Sequence, residues 1–375
     1  MTLLERFSSA SFKGPGFDQI RFAAALLVVF HHSWWGVDDI LYRYSGGFVH
    51  LGLFAVIVFF CISGFLVTPG LQRSADVGKF AVHRALRIFP ALIVVVAASM
   101  FIIGPLVTQD SLTSYFSDPR LYLYAKNVTT LMAHYLPGVT EDGAPVIVNG
   151  ALWTLNIEVY SYIALAALSI VGALRHRSLA LAAFVVAYVI YVGLAMSPAL
   201  NAMASERLIN FIGLFVYFIA GANLFLFGDR VPFSPVLAFG ALIVGVAGLG
   251  VGLGAVVLPL CVSYIVVYLG LSDLPGRALF KHDLSYGIYL IHSPIILAVT
   301  ELSGLRAGWP VAIITTCITL VLAYLSWNFI EKPALDRKKA ASEWLASYTR
   351  RWAPLRSPVK PAPLPDVVHP SSPGE

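Results

Sequence analysis

DQIRFAAALLVVFHHSWW, Asp18 to Trp35, is the stretch on which the fold turns. Gly14-Pro15-Gly16 precedes it and cannot carry a helix in from upstream. Asp18 is a good N-cap, and the apolar run after it is stopped early by two histidines. In a helix turning about 100° per residue, Arg21 and His32 point within about 20° of each other, about 16 Å apart along one face. His31 points about 80° away from that face. If this helix spans a membrane, it carries a cation at one edge and an imidazole inside, and ionisable groups within a span are costly enough to mark function. A lone histidine in an apolar helix is otherwise a hydrogen-bonded core residue. Sharing a face with Arg21 argues for more.

Composition supports the membrane reading. Of the 375 residues, 58% are hydrophobic and 12% charged, with a mean hydropathy of +0.79; a soluble domain carries about 25% charged residues. Residues 1–16 are polar and no small-residue cleavage site follows the first apolar run, so no cleavable signal peptide is expected. Cys61, Cys261 and Cys317 lie far apart in apolar runs and read as small buried hydrophobes, without disulfide or metal spacing. The sequence offers no zinc motif, P-loop or dinucleotide fingerprint, so no metal or permanently bound cofactor is expected. An isoelectric point near 9.0 reflects membrane topology; the basic residues are not gathered on one soluble face, which argues against nucleic acid.

Ten apolar segments can be marked, at roughly 19–36, 48–68, 85–107, 151–173, 179–196, 207–227, 234–252, 255–271, 284–303 and 309–330. Most approach the ~20 residues of a spanning helix. The first is short, and 234–271 can be divided differently at its glycines. The expected fold is an all-α polytopic bundle of about ten transmembrane helices. With ten spans both termini share a side, and 20 of the 25 Lys and Arg residues fall on that side. The positive-inside rule makes it the cytoplasm.

The longest outer connection is 108–150. Its stretch LYLYAKNVTTLMAHYLPG reads as a helix lying at the interface, and EDGAP as a turn. Asn127-Val128-Thr129 matches a glycosylation sequon. Residues 1–335 are expected to form the membrane domain. In 336–352, Trp344, Tyr348 and Trp352 recur every four residues among basic groups, which suggests a short helix on the inner surface. Residues 353–375, with seven prolines, read as a disordered tail.

Five motifs carry candidate chemistry. Arg84 and Arg87, in HRALRIFP, share a helix face at the cytoplasmic edge. They are either snorkelling anchors or a guanidinium clamp for phosphate. FFCISGFLV, Phe59 to Val67, reads as packing, with Gly64 admitting another backbone. In NGALWTLNIEVYSY, Asn149 to Tyr162, Thr154, Glu158, Ser161 and Tyr162 form one polar stripe, with Trp153 beside it. A carboxylate two turns inside the segment needs a partner or a raised pKa. SYGIYLIHSPI places Tyr286, Tyr289 and His292 on one face, a core aromatic stripe or a site wall, and Pro294 should loosen the helix beyond. WNFIEKP closes the last span, where Glu331 can pair with a nearby arginine.

Together these motifs resemble the membrane acyltransferase-3 family, over about residues 16–335: Arg, ten residues, then His on the first helix, followed by R-x-x-R, W-[ST]-L-x-x-E, S-Y-x-x-Y-L-x-H-x-P and W-x-x-I-E-x-P, in family order. The doubled His31-His32 is the one ambiguity, and helix phase favours His32. The resemblance implies an O-acyltransferase that moves an acyl group, most readily acetyl, from cytoplasmic acyl-CoA to a carbohydrate hydroxyl, typically on a lipid-linked or surface glycan, in a bacterial inner membrane. It implies Arg84 and Arg87 on the donor's phosphates with Arg21 helping, and Tyr286, Tyr289 and His292 along the donor path. His32 would be general base or transient acyl carrier, with Glu158 orienting it or binding sugar, and Trp153, Thr154 and Glu331 in support. Acylation of a sugar on a small secondary metabolite such as a macrolide is the alternative among enzymes. A transporter is the alternative from another class.

Overall fold

A computed structural model describes residues 1–34, 39–74, 76–276 and 282–352, with side chains through 348. Trp35, Arg277, Lys281 and the proline-rich tail 353–375 lie outside the described residues, as do the side chains of Arg350, Arg351 and Trp352. The chain is almost entirely helical. In order run α1 (Leu3–Ser9), α2 (Phe17–Ser33), α3 (Leu51–Ser74), α4 (Val77–Ala98), α5 (Trp153–Ile170), α6 (Arg177–Met196), α7 (Glu206–Leu226), α8 (Pro235–Gly250), α9 (Gly254–Leu271), α10 (Ser285–Ser303), α11 (Trp309–Ser326) and α12 (Lys338–Trp352). Eight helices are long and apolar enough to cross a membrane, and α8 is a shorter apolar helix. α2, the short first segment, has 17 residues. The protein is an all-α, multi-pass membrane protein.

Boundaries follow local chemistry. The 234–271 run divides at Gly252, whose φ of +77° ends α8 in a left-handed turn closed by Leu253 N–H donating to the Gly248 carbonyl at 2.7 Å. α3 and α7 pack with their backbones nearly touching. A Cβ on Gly64 would run into the Phe218 carbonyl, and one on Gly221 into the Cys61 carbonyl. Gly64 is therefore a packing residue, as expected. Cys61 and Cys261 are buried, whereas Cys317, on α11, is exposed; all three are free.

Two expectations are corrected. LYLYAKNVTTLMAHYLPG is not one interfacial helix: Pro119–Tyr124 is helical, Ala125–Thr129 is a 3-10 turn, and Thr130 at φ +63° ends it. The buried Asn127 side chain bonds the Tyr124 carbonyl and both backbone groups of Ala133, so it serves the turn in place of a helix. Pro294 does not loosen α10, which runs unbroken to Ser303. Proline leaves the carbonyl four residues back without its helical donor, and Asn149 Nδ2 fills that place on Leu290 at 2.9 Å. The proline thus docks the entry to α5 against α10. The EDGAP turn is present as a two-strand hairpin, Thr140–Glu141 with Ala144–Pro145.

α1 bonds to the connection after α7, through Leu3 N–H to Val231 and Leu4 N–H to Gly228, and Arg6 reaches the Leu271 carbonyl and Asp273 after α9. α12 packs on α4. Both described ends of the chain therefore sit at one end of the bundle, called the inner end below.

Candidate active site

A cavity of about 300 Å³ opens among α2, α3, α4, α5, α10 and the segment after α11. Arg21, Arg84, Arg87, Thr154, Glu158, Tyr286 and Tyr289, all expected at the site, are on its wall. Asp283, Tyr162, Ser63 and Lys338 join them.

The inner part is ionic. Asp283 takes Arg87 Nη2 at 2.6 Å and Arg21 Nη1 at 3.7 Å, and Arg21 also meets Asp18 at 3.3 Å. The second Arg87 nitrogen reaches Glu331 at 3.3 Å. Glu331 is buried at the end of a π-turn, Trp327–Glu331, with Ser326 donating to it at 3.0 Å. It pairs with an arginine as expected, although it is not on the cavity wall. Burial alone would raise the Asp283 carboxyl, but Arg87 and Arg21, with the Ser285 hydroxyl and N–H, hold it down to about 2. Asp283 is the organising residue that sequence reasoning missed. An acid in a short connection resembles any solvated loop charge, and its position two residues before the S-Y-x-x-Y motif is the only local signal.

The middle of the cavity is phenolic. Tyr286 donates to the Ile88 carbonyl at 2.8 Å and lies under Arg87. Tyr162 donates to Glu158 at 2.5 Å and meets Ser63 at 3.3 Å. Tyr289 meets the Thr154 hydroxyl at 2.6 Å and the Ala151 carbonyl at 3.0 Å. Trp153 faces the other way, into a second, mostly apolar cavity of about 240 Å³ beside Phe48 and Tyr191.

Beyond Tyr289, whose ring is 6.0 Å from that of His292, lies a histidine pair. His292 is completely buried. Its Nδ1 faces the Ile288 carbonyl at 3.2 Å, so Nδ1 carries the proton and Nε2 accepts. His32 Nδ1 faces the Val28 carbonyl at 3.0 Å and His292 Nε2 at 3.2 Å, so it too is protonated and donates to both. The network leaves His32 Nε2 with its lone pair free. The partner of His32 is thus His292, expected on the donor path. No bond joins His32 to Glu158 among the described residues.

His31 diverges from His32 as helix phase requires, with the two rings 5.5 Å apart and 77° inclined. It bonds Asp39 at 3.1 Å and stacks on His50 at 4.4 Å. Burial works against ionisation of Asp39, but the Leu51 and Tyr42 N–H groups and His31 hold its carboxyl below the usual range. His31, Asp39 and His50 have ligand-type atoms within 4.8 Å of one another. Parallel stacked rings, however, do not aim two lone pairs at one ion. With His50 Nδ1 also accepting from Leu53 N–H at 3.1 Å, the trio fits a lock on the entry to α3 better than a metal centre.

The chain is similar to known proteins over most of its length. The family model described as an acyltransferase domain matches residues 15–328. An O-acetyl transferase of Shigella phage Sf6 is 29% identical over 87% of this chain and 97% of its own. Nodulation protein 10 of Rhizobium leguminosarum bv. viciae is 30% identical over 85% and 92%. A putative peptidoglycan O-acetyltransferase of Bacillus subtilis is 26% identical over 85% of this chain and 54% of its own length. No solved structure matches. A transporter is thereby displaced as the alternative, and the chain belongs to the membrane acyltransferase-3 family as an O-acyltransferase.

Proposed function

We propose that the protein transfers an acetyl group from acyl-CoA, bound at the inner end, to a hydroxyl of a carbohydrate, on a lipid-linked or surface glycan. The 20-to-5 charge split supports an inner end that faces the cytoplasm, and the family supports a bacterial plasma membrane. The observation that carries the proposal is the cavity and what adjoins it: cations at the inner end, phenols in the middle, and beyond Tyr289 a hydrogen-bonded histidine pair that is not itself on the cavity wall. Arginine and a polar channel suit a phosphorylated, amide-rich donor. The free His32 Nε2 takes the proton of the acceptor hydroxyl as its oxygen attacks the thioester carbonyl. The CoA sulfur leaves as thiolate and is protonated afterwards. His292 fixes the tautomer of His32, the part that a third group plays for many catalytic histidines.

Arg87 acts here as a fixed wall more than a mobile clamp, because two carboxylates already hold it. The test compares surface glycans and lipid-linked sugars from cells with and without the gene by mass spectrometry. One acyl mass should disappear with the gene, and purified protein should consume acetyl-CoA when given that acceptor. Unchanged glycans with no acetyl-CoA consumption would sink the proposal.

A further inference from the structure

The four cations on the cavity wall are not equivalent. Arg21 and Arg87 are matched by Asp18, Asp283 and Glu331. Arg84 forms no ion pair among the described residues. Its guanidinium sits 5.9 and 5.7 Å from the Phe80 and Tyr162 ring centres, and its Nε is buried without a hydrogen-bond partner. Lys338, the first residue of α12, lines the same cavity and also has no ion pair among the described residues. Glu158, the remaining carboxylate on the wall, is engaged by Tyr162. Two like charges turned to one cavity repel each other unless an anion joins them.

The resemblance already implies Arg84 on the donor's phosphates; we propose that Lys338 joins it on the same phosphate group, which makes α12 part of the donor site. This rests on acyl-CoA being the donor. α12 begins ten residues beyond the family match, which ends at 328, and its first residue becomes part of the wall that holds the donor. The next residue, Lys339, is exposed and does not line the cavity. It supplies a matched control.

The experiment titrates acetyl-CoA, and acetyl-pantetheine without phosphates, against purified full-length protein in phospholipid-free detergent. Lys338→Gln should weaken acetyl-CoA about tenfold or more, the effect of one charge-assisted hydrogen bond, and leave acetyl-pantetheine unchanged. Lys338→Arg should bind acetyl-CoA nearly as wild type does, which separates charge from misfolding. Lys339→Gln should cost about twofold at most. Wild type and Lys338→Gln binding acetyl-CoA equally would overturn the site while leaving the donor assignment standing. Equal losses in Lys338→Gln and Lys339→Gln would reduce it to general surface charge, and so overturn it too. Phosphatidylglycerol competing with acetyl-CoA in wild type but not in Lys338→Gln would give the pair to lipid headgroups instead. Failure of wild type to bind acetyl-CoA would remove the donor assignment, and this site with it.

Discussion

The two ends of α2 handle polar groups inside a membrane protein by opposite means. At the inner end, charge is met by charge: Arg21 by Asp18 and Asp283, and Arg87 by Asp283 and Glu331. Eleven residues on, His32 meets no charge. It is held by the Val28 carbonyl and by His292, itself held by the Ile288 carbonyl. A charged cage is rigid and costly to break from one side. Neutral imidazoles on backbone carbonyls keep one nitrogen free for proton transfer. On the proposed function, the carboxylate cage holds the shape of the inner end and the histidine pair does the proton transfer.

Breaking the outer end should therefore cost turnover. His32→Ala should lower transfer by about 10²–10⁴-fold, the range for a general base, while acetyl-CoA affinity and membrane insertion stay unchanged. His31→Ala should retain substantial activity, because its bonds go to Asp39 and His50. An inactive His31→Ala beside an active His32→Ala would mean that the wrong histidine has been assigned.

Much of this contrast is legible in the sequence, because polar residues inside apolar runs are conspicuous. Arg21, Arg84, Arg87, Thr154, Glu158, Tyr286 and Tyr289 stand out for that reason, and all line one cavity. What hides is pairing. His32 and His292 are 260 residues apart, and helix phase gives each a direction but no partner. Asp283 and Lys338 lie outside the apolar runs, where charges are ordinary. The π-turns at Ser99–Ile103 and Trp327–Glu331 leave the apolar pattern intact. Asn149 reads as a loop residue until the carbonyl left unpaired by Pro294 is counted.

Breaking the inner end should cost stability first. Asp283→Asn leaves Arg21 and Arg87 under-compensated and should destabilise the detergent-solubilised protein by about 3 kcal/mol. The Asp283 carboxyl lies below its unfolded value of about 3.9, so its contribution is full above that pH and is lost as pH falls toward about 2. Acid unfolding should accordingly be shallower for Asp283→Asn in that window. An identical acid profile would show that Asp283 is not ionised in the folded state.

Arg84→Lys and Arg87→Lys divide the same R-x-x-R motif. Arg84→Lys should weaken acetyl-CoA about tenfold and leave thermal stability unchanged, since no carboxylate among the described residues is paired with it. Arg87→Lys should lower stability, because one ammonium cannot reach both carboxylates in the guanidinium's geometry. Equal donor affinity in Arg84→Lys and wild type would return Arg84 to the role of membrane anchor.

A coupling energy between two residues sharpens the claim that the outer end rests on backbone carbonyls. Leu290 lies two residues before His292, and its carbonyl is served by Asn149 because Pro294 offers no N–H. Asn149→Ala should therefore cost about 1–3 kcal/mol for the buried carbonyl left without a donor. It should cost a further ~1 kcal/mol for the lost Asn149 acceptor on Ala151 N–H. In a Pro294→Ala background residue 294 donates along the helix, so the first penalty should vanish and the second remain. The double-mutant cycle, read from unfolding in detergent, should then show a coupling of about 1 kcal/mol or more. Additivity within about 0.5 kcal/mol would mean that Asn149 serves the α5 entry alone, and that α10 carries Pro294 without help from across the bundle.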